Sequence, residues 1–421
     1  MKIAIIGSGG REHAICHKIF ESKNVEKIFC IPGNGGTQKI AQNVNINLNN
    51  FEEIKSFLNY EKIDLTIIGP EQPLVNGIVD YLRKNKLKVF GPDKFCSKLE
   101  GSKIFTKKIC KIEKIPTADF QIFNDINSSL KYLKNKNYPL VVKADGLAAG
   151  KGVYICENFL DAQKAVEEIF GGKFGKAEEI LIEDFLSGEE MSFFILYDNN
   201  TFQVFNTAQD HKRVFEGDKG KNTGGMGAYS PSRLITDELE KKIINKIISP
   251  TLKYLKKENG IYIGFLYAGL MIKDNEPYLI EYNVRMGDPE CQTILPLLKN
   301  DFLEILKNCI DGTLNKIKLS WKCKKSICIV LASKGYPDQF EKNILINNLE
   351  NATNIEGQYI FHAGTKFEKK KIFSNGGRVL NFVSINEDLK LARESALSTI
   401  KIINWQNGHY RRDIGYKVID N

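Results

Sequence analysis

The nine cysteines of this 421-residue chain include no C-x-x-C pair and are scattered from Cys16 to Cys328. An odd number of cysteines at irregular spacing disfavours a disulfide framework in a chain of this length. The pattern instead indicates reduced thiols and a cytoplasmic location.

Long apolar runs are missing as well. The longest apolar stretch, residues 261–272, is broken by Gly264 and Gly269 and is much shorter than a membrane span. The apolar segment at residues 3–6 is too short for a signal peptide and leads directly into a turn. We therefore expect no membrane partner.

Clustered basic and aromatic residues, which a nucleic-acid binder would need, are also lacking. Lys and Arg number 60 against 51 Asp and Glu, a net charge of +9, but the lysines are spread along the whole sequence. This spread argues against a nucleic-acid partner, although the excess of positive charge suits anionic ligands. The length predicts two to four domains.

The first hundred residues predict an open α/β sheet. Short apolar strands are expected at residues 3–6, 27–31, 64–68 and 88–90, with helical segments between them. Polar, glycine-rich loops follow the first three strands, at residues 7–13, 32–37 and 69–74. Ligands bind at such strand ends in sheets of this type.

A dinucleotide site is the obvious candidate for the first loop, and the sequence disfavours it. The G-x-G-x-x-G motif requires glycine where Glu12 stands, and the second strand does not end in an acidic residue. The backbone of Gly9 and Gly10, beside Arg11 and a helix amino terminus, still suits a single phosphate. Tight turns without a ligand are the alternative.

A second glycine-rich loop carries lysines. A strand ending at Lys143 is followed by a loop of small residues at 144–152, which contains Lys151, and by a strand at 153–156. Small residues allow close approach of the backbone to phosphates, and lysine supplies positive charge. The loop is not a Walker A motif, because no G-x-x-x-x-G-K-[ST] sequence occurs.

Residues 278–280 predict a buried strand whose continuation carries polar groups. Because side chains alternate along a strand, Glu281, Asn283 and Arg285 should project from one face. Carboxylate and carbonyl oxygens are the ligands that Mg²⁺ prefers, so Glu281 and Asn283 suit a metal and Arg285 a neighbouring anion. A solvated strand face that ends in a turn is the alternative.

Two further stretches contain groups that suit the binding of a nucleotide and of a small substrate. After a strand at 179–183, backbone groups near Glu183 and Leu186 can pair with an adenine edge, and Glu190 with ribose hydroxyls; an exposed acidic turn is the alternative. Residues 221–231 predict a long polar loop whose glycines favour an anion-binding or carboxylate-binding nest. For His211 a structural hydrogen bond is expected.

Together these stretches resemble the ATP-grasp superfamily and, within it, the phosphoribosylamine–glycine ligase (glycinamide ribonucleotide synthetase) family. The matching segments are residues 7–13, 32–37, 69–71, 99–103, 143–152, 209–213, 222–231, 264–270, 281–290, 362–365, 375–379 and 412–415. They occur in order and extend along the whole chain, so the resemblance is specific.

The resemblance implies a multi-domain α/β fold. It places an open parallel α/β domain (the pre-ATP-grasp domain) at residues 1–100 and an ATP-grasp core at 101–322, with a mobile lid at about 121–188. A small α/β domain is expected at 323–421, with a helix at about 387–403. A monomer is expected, with a weak dimer as the alternative.

The implied reaction joins glycine to 5-phosphoribosylamine in purine biosynthesis, with ATP as co-substrate and Mg²⁺ or Mn²⁺ as the metal, through a glycyl phosphate. The implied catalytic residues are Lys143, Asp210 and Arg285, and the implied metal ligands are Glu281 and Asn283. The implied nucleotide-binding residues are Lys103, Lys143, Gly146, Gly150, Lys151, Gly152, Glu183, Leu186 and Glu190.

The resemblance also assigns substrate-binding residues. Those implied for phosphoribosylamine are Gly9, Gly10, Arg11, Glu12, Asn34, Gly35, Thr37, Gly69, Pro70 and Glu71. Those implied for glycine are Asp210, Thr223, Gly224, Gly225 and Met226, with Arg285 on its carboxylate or on the transferring phosphoryl group; Lys212 and Asp288 complete the substrate set.

The sequence departs from the superfamily pattern at one point, and three alternative functions remain. Many ATP-grasp enzymes carry a carboxylate on the strand before the metal strand, but residues 266–272 contain no acid. The nearest rival is another ATP-grasp carboxylate–amine ligase. A nicotinamide-dependent oxidoreductase and a non-catalytic nucleic-acid binder are less consistent with the motifs above.

Overall fold

Within residues 1–147, 152–175, 177–352 and 355–420, which the computed structural model describes, the strands form five sheets. Gly150 and Lys151, two of the residues predicted to bind nucleotide, lie outside the described residues. No helix among the described residues has both the length and the apolar character needed to cross a membrane.

The amino-terminal part is the predicted open sheet of parallel strands. Its strands are β1 (Lys2–Gly7), β2 (Lys27–Pro32), β3 (Gln42–Asn43), β4 (Leu65–Ile68) and β5 (Val89–Phe90), in the order β3-β2-β1-β4-β5. Its helices are α1 (Gly10–Phe20), α2 (Phe51–Tyr60), α3 (Glu71–Asn76) and α4 (Ile78–Lys84). The three predicted loops therefore meet at one edge of the sheet. Strand β3 was not predicted, because it is two polar residues long.

A four-stranded sheet with its own apolar core follows helices α5 (Lys94–Gly101) and α6 (Lys103–Glu113). Its elements are β6 (Phe120–Phe123), α7 (Ile126–Leu133), β7 (Leu140–Ala144), β8 (Val153–Cys156), α8 (Phe159–Phe170) and β9 (Ile180–Asp184). The strand order is β6-β9-β7-β8, and all pairs are antiparallel. This sheet occupies the region predicted as the lid.

The chain then forms the central elements of the molecule. They are β10 (Glu189–Asp198), β11 (Phe202–Asp210), β12 (Arg213–Phe215), β13 (Lys219–Asn222), β14 (Gly227–Ser230), α9 (Asp237–Ile243), α10 (Ser249–Lys257), β15 (Ile263–Lys273), β16 (Glu276–Asn283), α11 (Glu290–Ile294) and α12 (Phe302–Ile310).

The last part of the chain contains β17 (Lys325–Ser333), β18 (Leu345–Ile346), β19 (Gln358–His362), β20 (Thr365–Glu368), β21 (Lys371–Ser374), β22 (Arg378–Asn386), α13 (Leu389–Ile403), β23 (Gly408–His409) and α14 (Tyr416–Ile419). Helix α13 is the helix predicted at about 387–403.

Nine antiparallel strands from both of these parts form one sheet. The order is β16-β15-β10-β11-β14-β17-β22-β19, with β23 paired to β17. Strand β14 joins the two parts, because it pairs with β11 on one side and with β17 on the other. The sheet therefore includes strands from both sides of the predicted domain boundary at residues 322–323. The division into two domains at that boundary stays a prediction.

Strand β14 corrects the prediction of a long polar loop at 221–231. Its sequence, Gly-Ala-Tyr-Ser, lacks the apolar alternation that marks a strand. The two neighbouring strands supply its hydrogen bonds, so pairing distant in sequence overrides local composition.

All nine cysteines are free thiols. Eight are buried and Cys323 is exposed.

Candidate functional site

A cleft of about 800 Å³ lies between the amino-terminal loops, the four-stranded sheet and the nine-stranded sheet. Its volume is that of a typical cofactor or substrate pocket. The predicted residues that line it are Arg11, Glu71, Lys103, Lys143, Gly146, Gly152, Glu183, Leu186, Glu190, Asp210, Lys212, Thr223, Gly224, Glu281, Asn283, Arg285 and Asp288. The charged residues that line it and that the sequence prediction did not include are Glu100, Lys107, Asp184, Arg213, Asp218, Glu290, Arg378 and Lys417.

Glu281 and Asn283 reach the cleft from the carboxyl end of β16, at the edge of the nine-stranded sheet. Both side chains are partly exposed, whereas Tyr282 between them is buried. The predicted alternation along the strand is therefore present. A carboxylate and a carboxamide facing an open cleft fit Mg²⁺, which binds through one or two protein oxygens together with substrate phosphates. As the sequence indicated, β15 contains no acid to add. The described residues contain no group of three or more Asp, Glu, His or Cys placed to hold a metal.

Arg285 lies just beyond β16 and is held between two carboxylates. Its Nε donates to Glu71 Oε2 at 3.2 Å, and its Nη2 donates to Glu100 Oε1 at 2.5 Å. Arg285 lowers the pKa of Glu71 to about 2, and burial raises the pKa of Glu100 to about 7. The guanidinium is held by both carboxylates and faces the same cleft as Glu281 and Asn283.

The first amino-terminal loop is organised by Glu12. Its Oε1 accepts from Arg11 Nε at 2.6 Å, and its Oε2 accepts from the Gly9 amide at 2.6 Å. A Cβ placed on Gly7 or Gly69 would lie 2.5 Å or 2.2 Å from the Glu12 side chain. The glycines thus make room for a carboxylate, which explains why Glu12 stands where a dinucleotide motif has glycine.

Arg11 connects this loop to the segment that follows β16. Its Nη1 donates to the carbonyl oxygen of Met286 at 3.0 Å, and its amide donates to Asp288 Oδ2 at 3.3 Å. Arg11 and Glu71 therefore face the cleft beside Arg285. Their contact with phosphoribosylamine stays a prediction.

Asn34 and Thr37 lie inside the second loop rather than along the large cleft. The Asn34 carboxamide donates to the carbonyl oxygens of Ser8 at 2.9 Å and His362 at 2.8 Å, and its Oδ1 accepts from the Thr37 amide at 3.0 Å. These bonds shape the loop. The other predicted residues that do not line the cleft are Gly9, Gly10, Glu12, Gly35, Gly69, Pro70, Gly225 and Met226.

A buried triad of charges joins the four-stranded sheet to α6. Glu183 accepts from Lys143 within the sheet and pairs with Lys107 Nζ of α6 at 2.6 Å. Lys107 also donates to Thr117 Oγ1 at 2.5 Å. Lys103, one turn earlier on α6, donates to the carbonyl oxygen of Gly146 at 2.9 Å, and burial lowers its pKa. Two of these lysines were predicted, and Lys107 was not.

Lys212 and Asp210 lie at the end of β11. Lys212 Nζ is 2.8 Å from Glu190 Oε2 and 3.9 Å from Glu281 Oε1. Burial opposes its charge, but Glu190 and Glu281 hold the pKa of Lys212 well above its usual range. Burial, together with the charge of Glu290, raises the pKa of Asp210. The Oδ1 atom of Asp210 is buried and has no hydrogen-bond partner among the described residues.

The loop at 223–226 folds over Asp210. The Thr223 hydroxyl donates to the carbonyl oxygen of Lys212 at 2.9 Å and accepts from the Gly225 amide at 3.0 Å. Gly225 has φ +110°, and a Cβ there would lie 2.7 Å from Asp210 Oδ1. This position therefore requires glycine.

Arg378 of β22 supports the loop from the carboxyl-terminal part of the chain. Its Nη1 donates to the carbonyl oxygens of Gly224 and, at 2.6 Å, of Asp288. Its Nη2 is 3.4 Å from Asp288 Oδ1. The segment 375–379 carried part of the family resemblance, and this was the available signal for Arg378.

His211 makes the structural hydrogen bond that was predicted. Its Nε2 accepts from the Gly415 amide at 2.9 Å, and burial lowers its pKa to about 4. The ring is therefore neutral and serves as an acceptor at neutral pH.

Comparisons with known proteins agree with this arrangement. Family models described as Phosphoribosylglycinamide synthetase match the chain in three parts: the N domain at residues 1–100, the ATP-grasp (A) domain at 101–291 and the C domain at 326–417. A relative named phosphoribosylamine–glycine ligase from Caldanaerobacter subterraneus subsp. tengcongensis is 45% identical over 416 residues, which cover 98% of this chain and 99% of the relative. One of the same name from Haemophilus influenzae is 44% identical and covers 100% of this chain and 99% of the relative.

Solved structures show the same likeness. The crystal structure of phosphoribosylamine–glycine ligase from Thermotoga maritima superimposes with a TM-score of 0.85 at 33% identity, covering 98% of this chain and 100% of that one. A biotin carboxylase complex from Campylobacter jejuni shares the fold at 16% identity, with a TM-score of 0.75 and coverage of 100% and 95%. The chain belongs to the phosphoribosylamine–glycine ligase family, the ATP-grasp ligases of purine biosynthesis.

Proposed function

We propose that this ATP-dependent ligase activates glycine as glycyl phosphate and transfers the glycyl group to 5-phosphoribosylamine. The products are glycinamide ribonucleotide, ADP and phosphate. The observation that supports this is one cleft that contains Glu281 and Asn283, the lysines of the nucleotide site, Arg285 and the loop over Asp210.

The chemistry accounts for these groups. A carboxylate is a poor electrophile, so the γ-phosphoryl group of ATP is first transferred to a glycine carboxylate oxygen. The ribosyl amine then attacks the acyl carbon, and phosphate leaves as the amide forms. Phosphoryl transfer depends mainly on positioning and charge neutralisation, which fixed cations provide.

The nucleotide is assigned to the side of the cleft next to the four-stranded sheet. Lys103 and Lys143 face its phosphates, the backbone from Glu183 to Leu186 faces adenine, and Glu190 faces the ribose. Glu281 and Asn283 would hold Mg²⁺ or Mn²⁺, which neutralises phosphate charge when bound. The four-stranded sheet covers this side and would keep water from the acyl phosphate.

Glycine is assigned to Asp210 and the loop at 223–226. A substrate ammonium beside Asp210 Oδ1 would supply the partner that this buried atom lacks among the described residues. The positive charge would also favour the ionised carboxylate, offsetting the burial that raises its pKa. Arg285 is assigned to the transferring phosphoryl group or the glycine carboxylate, and Arg11 and Glu71 to phosphoribosylamine.

The assay that tests the proposal measures ADP release with glycine and freshly prepared phosphoribosylamine, omitting each in turn. Release should require both. Turnover with another amino acid but not with glycine would favour the alternative, a different ATP-grasp carboxylate–amine ligase.

Sedimentation velocity across a range of concentrations tests the proposed monomer against the weak dimer.

The metal assignment is tested by Glu281→Ala. Loss of the carboxylate should abolish turnover in Mg²⁺ and in Mn²⁺ while the circular-dichroism spectrum and melting temperature stay close to wild type. Glu276→Ala is the matched control, because Glu276 begins the same strand and pairs with Lys242 and Lys246 on the surface. Near-normal turnover by Glu281→Ala would remove Glu281 from the metal site.

A further inference from the structure

The hairpin formed by β12 and β13, residues 213–222, has little support of its own. Most of its residues are exposed, and Val214 is its contribution to the apolar core of the carboxyl-terminal part. An isolated two-stranded hairpin is at best marginally stable in water. Groups outside the hairpin must therefore fix its position.

Arg411 supplies part of that support. Its side chain is 0% exposed, and its Nη1 donates to Asp218 Oδ1 at 2.8 Å and to the carbonyl oxygen of Arg213 at 3.0 Å. Its Nε and Nη2 donate to the two carboxylate oxygens of Asp413, each at 2.8 Å. Asp413 in turn accepts from the Gly217 amide at 2.8 Å. One buried guanidinium thus connects the tip and a strand of the hairpin to residues 411–413.

Neighbouring residues make further contacts with the hairpin and with His211, two residues before it. The Tyr416 hydroxyl donates to Asp218 Oδ2 at 3.1 Å, His409 Nε2 is 2.9 Å from the carbonyl oxygen of Val214, and the Gly415 amide donates to His211 Nε2 at 2.9 Å. We call His409, Arg411, Asp413, Gly415 and Tyr416 the C-terminal clamp.

The two ends of the hairpin lie next to the residues assigned to glycine. One end of the hairpin follows Asp210 and Lys212, and the other leads into Thr223. The two ends are joined because the Thr223 amide donates to the carbonyl oxygen of Lys212 at 2.8 Å and the Met226 amide donates to that of His211 at 2.9 Å. A shift of the hairpin would move the loop at 223–226 relative to Asp210.

We propose that Arg411 is a positioning residue for glycine: through Asp218, Asp413 and the hairpin, it sets the distance between Asp210 and the loop at 223–226. This inference rests on the proposed assignment of glycine to that loop. Arg411 does not line the cleft, so its effect is indirect.

The test compares Arg411→Gln with Arg412→Gln. Arg412 is the matched control, because its side chain is 72% exposed and it contacts the same hairpin only through Glu216. Small misplacements of a reacting group carry large kinetic costs, so Arg411→Gln should raise the KM for glycine about tenfold or more. The KM for ATP, and all constants of Arg412→Gln, should stay within about twofold, as expected for surface changes.

A second readout follows the hairpin itself. Amide hydrogen exchange in residues 213–227 should accelerate in Arg411→Gln, while exchange in the four-stranded sheet stays unchanged. If Arg411→Gln does not fold, Tyr416→Phe and Asp413→Asn provide milder losses of the same contacts and should show smaller increases in glycine KM.

Asp210→Asn, measured alongside, separates the clamp from the glycine site. An increase in glycine KM in both Asp210→Asn and Arg411→Gln supports the proposal. An increase in Asp210→Asn alone overturns the clamp and leaves the glycine site intact. No increase in Asp210→Asn overturns the glycine assignment and, with it, the role given to Arg411.

Discussion

Glu183 is a buried acid held by lysines from two parts of the molecule. Lys143 reaches it within the four-stranded sheet, and Lys107 reaches it from α6. All three side chains are 6% exposed or less. Removing Lys107 leaves Glu183 with a single cation among the described residues, Lys143, and takes a charged donor away from the buried carboxylate and from Thr117.

We predict that Lys107→Met lowers the free energy of unfolding by about 2 kcal/mol, because Glu183 and Thr117 each lose a contact with a charged donor. Urea denaturation followed by circular dichroism measures the change. The adjacent Lys108 is exposed, so Lys108→Met should change stability by less than about 0.5 kcal/mol. Equal effects of the two substitutions would show that the Lys107–Glu183 pair contributes nothing.

The sequence predicted the positions of some cleft residues and missed others. Glu281 and Asn283 followed from alternation along one strand, which is a local property. Glu100 and Arg378 were missed because their partners are distant: Glu100 accepts from Val284, 184 residues away, and Arg378 donates to Gly224, 154 residues away. No local pattern carries such pairings.

Helix α1 meets strand β19 through a pair of buried histidines. His13 Nδ1 accepts from the His362 amide at 2.8 Å, and His362 Nδ1 is 3.0 Å from Thr365 Oγ1. Burial, aided by nearby Lys39, lowers the pKa of His362 to about 3, and burial with the neighbouring His362 lowers that of His13. Both rings are neutral in the folded protein, so the contact between these elements depends on pH.

The direction of that dependence follows from linkage. Above the unfolded pKa of about 6.5 the contribution of His362 is fully present, and it is lost as pH falls toward its folded pKa. Between pH 7 and pH 5, His362 alone should lower the free energy of unfolding by about 2 kcal/mol. Urea denaturation at both pH values of wild type and His362→Asn measures this, and an unchanged pH dependence in the variant would contradict it.

Elements with continuous apolar runs were predictable, and elements defined by their neighbours were not. Strands β1, β2 and β4 are buried on both faces along most of their length, and their sequences are apolar apart from Lys2, Lys27 and Thr66. Strands β3 and β14 are short and polar or small, and they exist because adjacent strands accept their hydrogen bonds. Helix α13 shows the helical period clearly, and its predicted bounds were close.

At the scale of the whole molecule, the nine-stranded sheet and the four-stranded sheet pack against different apolar cores. The nine-stranded sheet includes β10, β15, β17 and β22, whose residues lie in two large apolar cores and one smaller one. The four-stranded sheet has its own small core. Regions with fewer buried apolar contacts open at lower free energy.

We predict that amides of β7 and β9 exchange hydrogen faster than those of β10 and β15. A non-hydrolysable ATP analogue with Mg²⁺ should slow exchange in β7 and β9 far more than in β10 and β15, because ligand binding stabilises the segment that it contacts. Mass spectrometry after timed exchange measures both effects. Equal protection of the two sheets, with or without nucleotide, would contradict the prediction.

The family fold was predictable because motifs along the whole chain resembled known members. The continuity of the large sheet was not, since it depends on Gly227 of β14 pairing with Ile329 of β17. Neither segment signals its partner, and the family resemblance implied a domain boundary at residues 322–323, shortly before β17 begins.

The C-terminal clamp also has a consequence for synthesis. Translation proceeds from the amino terminus, so residues 409–416 leave the ribosome after every residue that we assign to the nucleotide. If they complete the glycine pocket, a nascent or nicked polypeptide would bind ATP without forming glycyl phosphate. The chain would then become active only after these residues have left the ribosome and packed against the hairpin. An incompletely synthesised chain would therefore not consume ATP by forming glycyl phosphate that is then hydrolysed.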